Sequence, residues 1–448
     1  MDPRQLTIMA NKFQAVFNAS TLDTQGCDLE FCHRQRLITP ARFGLSVVAS
    51  MATEQVRSIA DLHRHFNALW NLEVSYRAFY DQAAKPACGT FLLARLCDMM
   101  DKLSLKVLGL QNGRALSEFG RILIQDGSSF AIHDALRQVF PGRFNAVKPA
   151  AVELHCTLDL LRGAPLCIVL TPDTACEQDY LPEPESLKGD VLLADRGYLN
   201  LDYLRQVCHH GGSFVVRAKE GLNPRIIEAY REDGKHLSSF ENRDFQAMKS
   251  RFPKKQRFSL MVEWLIAGQV FRLRMIVSWN KQKKCFFYLL TNLPKEHYDI
   301  DQICLIYKLR WQVELLFKEW KSHANLHSFD TTKEEITEAL IFASLAAAAV
   351  KRFLAYAAEH LLHVVISTRK AAMNPPYVLP ALFRSLRHGD GPGYRQAFEE
   401  LMRYLGRNAK RAHPKRDETT GRARLGLKPV FQLIDNQYLT DNSEEKAA

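Results

Sequence analysis

Apolar residues recur at helical spacing in the first part of the chain, at strand spacing in the middle and at helical spacing again towards the end. Up to about residue 95 they predict short helices: FGLSVVASM, then SIADLHRHFNALW with Ser58 as N-cap, then SYRAFYDQAAK with Ser75 as N-cap. From about residue 119, RILIQDGSSF, AAVELHCTLDL and PLCIVLTP predict a strand meander with a turn at Arg162-Gly163. GDVLLADRGY predicts a fourth strand, LDYLRQVCHH a helix and SFVVRAKE a further strand, the alternation of an α/β sheet. Between 222 and 292, QRFSLMVEWLIAG and QVFRLRMIVSW predict a hairpin turned near Gly268, and CFFYLLTNL adds a strand. Phe271, Leu273, Met275 and Val277 alternate with Arg272 and Arg274, which predicts a half-buried strand. A helix then starts near Asp299 to Asp301, followed by the long EEITEALIFASLAAAAVKRFLAYAAEHLL.

Composition narrows the class. A chain of 448 residues can hold one large or two to three ordinary domains. A formal net charge of +11 and a pI near 9.1 favour a polyanionic partner such as nucleic acid. The ten cysteines are scattered without a C-x-x-C pair, which excludes a disulfide framework or a zinc knuckle. The groups Cys27, Cys32, His33 and Cys208, His209, His210 read as ordinary thiols and imidazoles of a reducing cytosol. The N-terminus lacks the form of a signal peptide. The apolar stretch Leu340 to Val350 stops at Lys351 and Arg352, short of the ~20 residues that span a bilayer, so the expectation is a cytoplasmic protein without a membrane segment. The helices of residues 1 to 95 fit a DNA-binding module or a plain bundle. The basic run from Arg403 to Lys428 fits nucleic acid or a solvated tail.

The chemistry concentrates in YKLRWQVELLFKEWK, residues 307 to 321. At about 100° per residue, with Tyr307 at zero, Arg310 falls near −60°, Glu314 near −20° and Lys321 near −40°, one stripe beside an apolar face. A solvated face is the bland alternative. Against it, one carboxylate stands among two cations and a phenol, whereas solubilising faces mix Glu and Lys freely. Two further acids, Asp126 and Asp195, sit where apolar strands end, the position of sites in α/β sheets, although each could merely cap a turn. Small residues follow each, Gly127-Ser128-Ser129 and Arg196-Gly197, and predict room for a bulky ligand. With Glu314 they make three carboxylates on separate elements, a hard-oxygen set suited to Mg²⁺ or Mn²⁺. Two such ions could serve phosphodiester chemistry.

The spacing Y-x2-R-x3-E-x6-K resembles the Tyr-Arg-Glu-Lys signature of the DDE transposases of bacterial insertion sequences, in the family conventionally numbered four. The resemblance runs from about Ile124 to His327 and includes ADRGY at 194–198, FVVRAK at 214–219 and YLLTN at 288–292. It implies an α/β, RNase H-like catalytic domain interrupted by a mostly β insertion, with a helical N-terminal domain and a helical, basic C-terminal region. The implied organisation is a DNA-end-binding domain at 1–95, the core at 115–221 and 293–370, the insertion at 222–292, and a C-terminal region at 371–448 for dimerisation. Asp126, Asp195 and Glu314 then correspond to the family's metal-binding acids, holding two Mg²⁺ ions, with Mn²⁺ able to substitute. Tyr307, Arg310 and Lys321 correspond to its phosphate- and DNA-contacting residues, and Arg217 and Lys219 resemble its basic pair near the cleaved end. Where hairpin-forming members carry a Trp that stacks on a displaced base, this chain has Phe287-Tyr288, an aromatic face that keeps stacking open and departs from the hairpin route.

The implied activity is binding of the element's terminal inverted repeats, cleavage of its ends and joining of the 3′-OH to target DNA. The implied setting is a homodimer on double-stranded DNA in the bacterial cytoplasm, associated with the nucleoid. Two alternatives share the acids or the fold: an RNase H-like metal nuclease without strand joining, and a catalytically silent DNA-binding regulator. The intact acid triad speaks against the second.

Overall fold

In the computed structural model, residues 1–102 form six helices: α1 (Pro3–Ala15), α2 (Ala19–Asp28), α3 (Pro40–Thr53), α4 (Ile59–Trp70), α5 (Tyr76–Ala83) and α6 (Pro86–Lys102). Both expected caps form. Ser58 and Asp61 make a reciprocal capping box on α4, and the Ser75 hydroxyl accepts from the Ala78 amide on α5. The structure describes residues 1–448 except 33–35, 54–55, 112, 145, 267, 324–325, 327–328, 374–377, 388–390, 413–420 and 433–448.

The strands follow as β1 (Lys106–Leu110), β2 (Ile122–Ala131), β3 (Ala151–Asp159), β4 (Ala164–Pro172) and β5 (Val191–Ala194), then helix α7 (Leu201–His209) and β6 (Ser213–Arg217). Next come β7 (Arg225–Arg231), β8 (Arg243–Asp244), the short α8 (Phe245–Met248), β9 (Phe258–Ile266), β10 (Gln269–Asn280) and β11 (Cys285–Thr291). All but β1 join one ten-stranded sheet in the order β4-β3-β2-β5-β6-β11-β10-β9-β7-β8. The meander β2-β3-β4 is antiparallel, whereas β5 and β6 run parallel to β2. The strands of 222–292 therefore extend the same sheet. Gly268, with φ +77°, turns the β9–β10 hairpin. The expected half-burial of β10 holds only at its start, because Arg274 is buried and donates to the Tyr298 carbonyl and the Ser259 hydroxyl. Lying between β9 and β11 and covered by the segment at Tyr298, that part of the strand has no solvent face.

Period-2 alternation sends neighbouring side chains into two cores. Ile122, Ile124, Val191, Leu193 and Val215 join the first, with α9 (Ile300–Lys308), α10 (Trp311–His323) and α11 (Glu334–Leu362). Leu123, Leu192, Ala194, Phe214 and Val216 join the second, against α7 and the strands of 222–292. The architecture is mixed α/β with helices on both faces of a large sheet.

The long helix forms over the expected span and runs through Lys351 and Arg352. α11 runs on to Leu362 and is long and apolar enough to cross a bilayer by length and composition, but 78% of its most apolar window is buried inside the protein. Arg352 lies over the Tyr356 ring, which accommodates its charge on the helix. Around α11 pack α3, α6 and the C-terminal helix Pro392–Asn408, so Phe13, Phe43, Phe91, Leu345, Phe353 and Leu401 share one core. Past that helix, β12 (Leu427–Phe431) pairs antiparallel with β1. In the basic run, Lys415 and Arg416 lie outside the described residues.

This packing predicts the fate of a truncation. Removing residues 1–95 strips α11 of its cover, and each large apolar side chain exposed forfeits about 1.5–3 kcal/mol. The shortened chain should aggregate or lose its cooperative melt by circular dichroism. A monomeric truncated protein melting like the parent would show that α11 does not depend on these helices.

Candidate active site

Strand parity brings the acids together. On β2, Ile122, Ile124 and Asp126 share a face, and on β5 Val191 and Leu193 share the corresponding one. The parallel register pairs Ile122 with Val191 and Ile124 with Leu193, and the ladder ends at Gln125 with Ala194. Continued by one residue, it sets Asp126 level with Asp195 on strands about 4.8 Å apart. α10 covers this face and supplies Glu314 in its first turn.

Arg310 binds two of the acids at once. Its Nη1 donates to Asp126 Oδ2 at 2.6 Å and its Nη2 to Glu314 Oε1 at 2.5 Å, with only 12% of the arginine side chain exposed. The third acid has its own partners. The Tyr307 hydroxyl donates to Asp195 Oδ1 at 2.9 Å, and Arg217 Nη1 lies 3.6 Å from the same oxygen. Lys321 Nζ donates to the Ser129 carbonyl at 2.7 Å, three residues beyond Asp126. Lys219 is exposed two residues past Arg217, and Phe287 is half-buried on β11 against the first core. Among the described residues, no hydrogen bond or ion pair ties Lys219 to the three acids. Tyr288 is buried in the second core and offers no face for stacking.

The electrostatics follow from burial and these partners. Burial pushes Asp126 up to about 6; Arg310 and the Gly127 amide oppose this, and the Asp195 and Glu314 charges add to it. Burial also acts upward on Asp195, but the Arg196 amide, Arg310, Tyr307 and Arg217 together hold it below the ordinary carboxylate range. Burial and the Asp195 charge raise Tyr307, which keeps its proton to donate. Burial, with Lys148 nearby, lowers Lys321.

Two expectations need correction. The helical wheel assumed one helix through 307–321, but α9 ends at Lys308 and α10 begins at Trp311. Between them Leu309, Arg310, Gln312 and Val313 make i→i+3 bonds, the tighter winding of a 3₁₀ turn. Tyr307 thus stands at the end of α9 and Arg310 within the joint, and their side chains hydrogen-bond different acids. The space that Gly127 and Gly197 leave is taken by the protein itself, and at Gly127 it lies on the face of the sheet away from the Asp126 carboxylate. A Cβ on Gly127 would lie 2.5 Å from Glu153 Oε1, and one on Gly197 only 1.6 Å from Glu177 Oε2. Missed altogether were Glu153, His155 and Tyr198 behind the sheet; a His inside the apolar run AVELHCTLDL was the available signal.

Asp126, Asp195 and Glu314 are a hard-oxygen donor set whose chemistry fits a divalent ion, and the Arg310 guanidinium bridges Asp126 and Glu314. With Arg310 in that position, no group of three or more His, Cys, Asp or Glu among the described residues is arranged ready to hold a metal. His33 lies outside them.

Comparisons with known proteins bear on the family of the chain. The transposase for insertion sequence element IS1151 of Clostridium perfringens is 20% identical over 432 residues, 86% of this chain and 89% of its own length. The transposase for element IS231C of Bacillus thuringiensis subsp. berliner is 26% identical over 269 residues, 52% of this chain and 56% of its own length. A solved piggyBac transposase synaptic complex with hairpin DNA covers 89% of this chain and 85% of its own at 11% identity, with a TM-score of 0.44, below the level that establishes a shared fold. The sequence model of the family described as "Transposase DDE domain" matches residues 117–371, a span that contains Asp126, Asp195 and Glu314. On that match over more than half its length, the chain belongs to the transposase DDE domain family and is a transposase.

Proposed function

We propose that this transposase binds the terminal inverted repeats of its own insertion sequence, cleaves the element ends and joins their 3′-OH to target DNA, as a member of the family numbered four with its Tyr-Arg-Glu-Lys signature at Tyr307, Arg310, Glu314 and Lys321. The observation that carries this reading is the convergence of Asp126 and Glu314 on Arg310, with Asp195 held alongside by Tyr307. The order β4-β3-β2-β5-β6 supports an RNase H-like core, with 222–292 as its β insertion. Synapsis of two ends calls for a homodimer, and DNA as the substrate places the enzyme at the bacterial nucleoid.

Asp126, Asp195 and Glu314 would hold two divalent ions, Mg²⁺ or Mn²⁺, which when bound supply Lewis acidity to attacking and leaving oxygens. The chain's own groups do the rest. Arg310 and Lys321 offset phosphate charge, the Tyr307 hydroxyl orients a phosphate oxygen, and Arg217 and Lys219 hold the backbone beside the cleaved end. Tyr307 and Arg310 are engaged with carboxylates in the DNA-free structure, so binding exchanges those partners for phosphate.

Purified protein incubated with its element's end, target plasmid and Mg²⁺ should yield nicked ends and joined products. Metal-dependent nicks with no joined product would mark a nuclease without strand transfer. Specific binding with neither would mark a silent regulator.

A further inference from the structure

The main-chain ladder between β2 and β5 stops at Gln125 and Ala194, one residue short of both acids. In front of the sheet, Asp195 is held by Tyr307 and Arg217, the groups that DNA phosphate would draw away. Asp126 stays in the β2–β3 ladder, paired with Cys156, so what needs a further tie is the turn that carries Asp195.

Behind the sheet there is such a tie. Asp195 caps a 3₁₀ turn, Arg196–Tyr198, and the Tyr198 amide donates to the Asp195 carbonyl at 3.1 Å. The Tyr198 side chain, 2% exposed, runs back under β2, where a Cβ on Gly127 would lie 3.0 Å from its hydroxyl oxygen. There the hydroxyl meets His155 Nδ1 at 3.2 Å, on the β3 residue paired with Gly127. His155 is itself fixed. It is 1% exposed, its ring stacks on Tyr180 at 4.1 Å, and its Nε2 lies 3.1 Å from Thr171 Oγ1 on β4. The Thr171 hydroxyl has the Pro172 carbonyl as acceptor at 3.2 Å, which leaves its oxygen to accept from Nε2–H. Nδ1 is then the acceptor for the Tyr198 hydroxyl. The chain Tyr198→His155→Thr171→Pro172 crosses from the turn after β5 to β3 and β4, passing under the residue next to Asp126.

We infer that Tyr198 and His155 are positioning residues that set the separation of Asp126 and Asp195 from the back of the sheet. Neither touches the reacting atoms. Both act through the backbone that carries the acids, by tying the turn after Asp195 to the strand beside Asp126. The inference rests on the reading of these acids as metal ligands.

The test measures Mn²⁺ binding by electron paramagnetic resonance on the full chain, for the parent, Asp126→Asn, Tyr198→Phe and His155→Gln, with a thermal melt of each. Tyr198→Phe removes one hydroxyl and should fold as the parent, yet weaken Mn²⁺ binding about tenfold, as loss of support behind metal ligands does. The Mg²⁺ needed for half-maximal cleavage should rise by the same factor, with most of the rate regained at saturating metal. His155→Gln should move both quantities in the same direction; should it fail to fold, Tyr198→Phe decides. Parent-like Mn²⁺ affinity in Tyr198→Phe, whether or not its melting temperature falls, overturns the inference while Asp126→Asn still loses metal. Parent-like affinity in Asp126→Asn removes the metal reading and this inference with it.

Discussion

Asp126→Asn should reduce Mg²⁺-dependent cleavage by about 10³-fold or more while binding of the element's end persists, because under the proposed function it removes a metal ligand and no DNA contact. Asp195→Asn and Glu314→Gln should do the same. For Asp126 a second, opposite effect follows from its burial. The carboxyl is raised from 3.8 to about 6 in the folded chain although Arg310 is bound to it. Between pH about 4 and about 6 the folded protein holds a proton that the unfolded chain has released, so stability falls as pH rises through that window. Above it, the ionised carboxylate costs the metal-free fold on the order of 2–3 kcal/mol. The Asn variant avoids this cost, so without metal at pH 7 it should melt a few degrees above the parent, and the advantage should vanish near pH 4. Cleavage measured on end-labelled DNA and melting in EDTA at the two pH values check both halves. An Asp126→Asn protein that still cleaves removes Asp126 from the site, and one that melts below the parent at pH 7 refutes the burial argument.

What the sequence disclosed here was local, and what it hid was long-range. VLLA read as a strand ending in an acid and does end beside Asp195, whereas the expected strand end at Asp126 is corrected: β2 runs on to Ala131 because β3 keeps pairing with it past the acid. The parallel register that makes Asp126 level with Asp195 joins segments 69 residues apart, and no local pattern encodes it. The wheel through 307–321 put Tyr307, Arg310, Glu314 and Lys321 on one stripe but missed the joint at Leu309-Arg310, because neither Gly nor Pro marks it. Glu319 of α10 lines with Arg352 a cavity under α11, a contact that depends on how two helices pack. His155 and Tyr198 were each visible as residues, but their hydrogen bond exists only once β2, β3 and β5 are assembled. Helices α3, α4 and α5 were legible and α1, α2 and α6 were not read, and the core these helices share with α11 joins segments some 250 residues or more apart.

Arg310→Ala should separate two roles of the arginine that coincide in the native protein. Its guanidinium is buried and paired with both Asp126 and Glu314, so its removal leaves two carboxylates facing each other with no counter-charge. Breaking a buried ion pair from one side costs about 3–5 kcal/mol, and here part of that is recovered when Asp126 takes up a proton. In EDTA at pH 8 the variant should therefore melt well below the parent, and it should regain stability as the pH falls towards 6. A divalent ion would restore the missing charge. Mg²⁺ should then raise the melting temperature of Arg310→Ala more than that of the parent, in which the guanidinium already occupies the bridging position. Cleavage should stay low even with the fold restored, by roughly 10²–10³-fold, because the cation that offsets phosphate charge is gone. Glu319 cannot serve as the control, since it faces Arg352; Lys308→Ala, an exposed cation on the last turn of α9, can, and its melting and its response to Mg²⁺ should match the parent. If Arg310→Ala melts like the parent in EDTA, or if Mg²⁺ stabilises it no more than the parent, the arginine is not the charge that keeps Asp126 and Glu314 together, and the convergence of the acids must rest on the backbone alone.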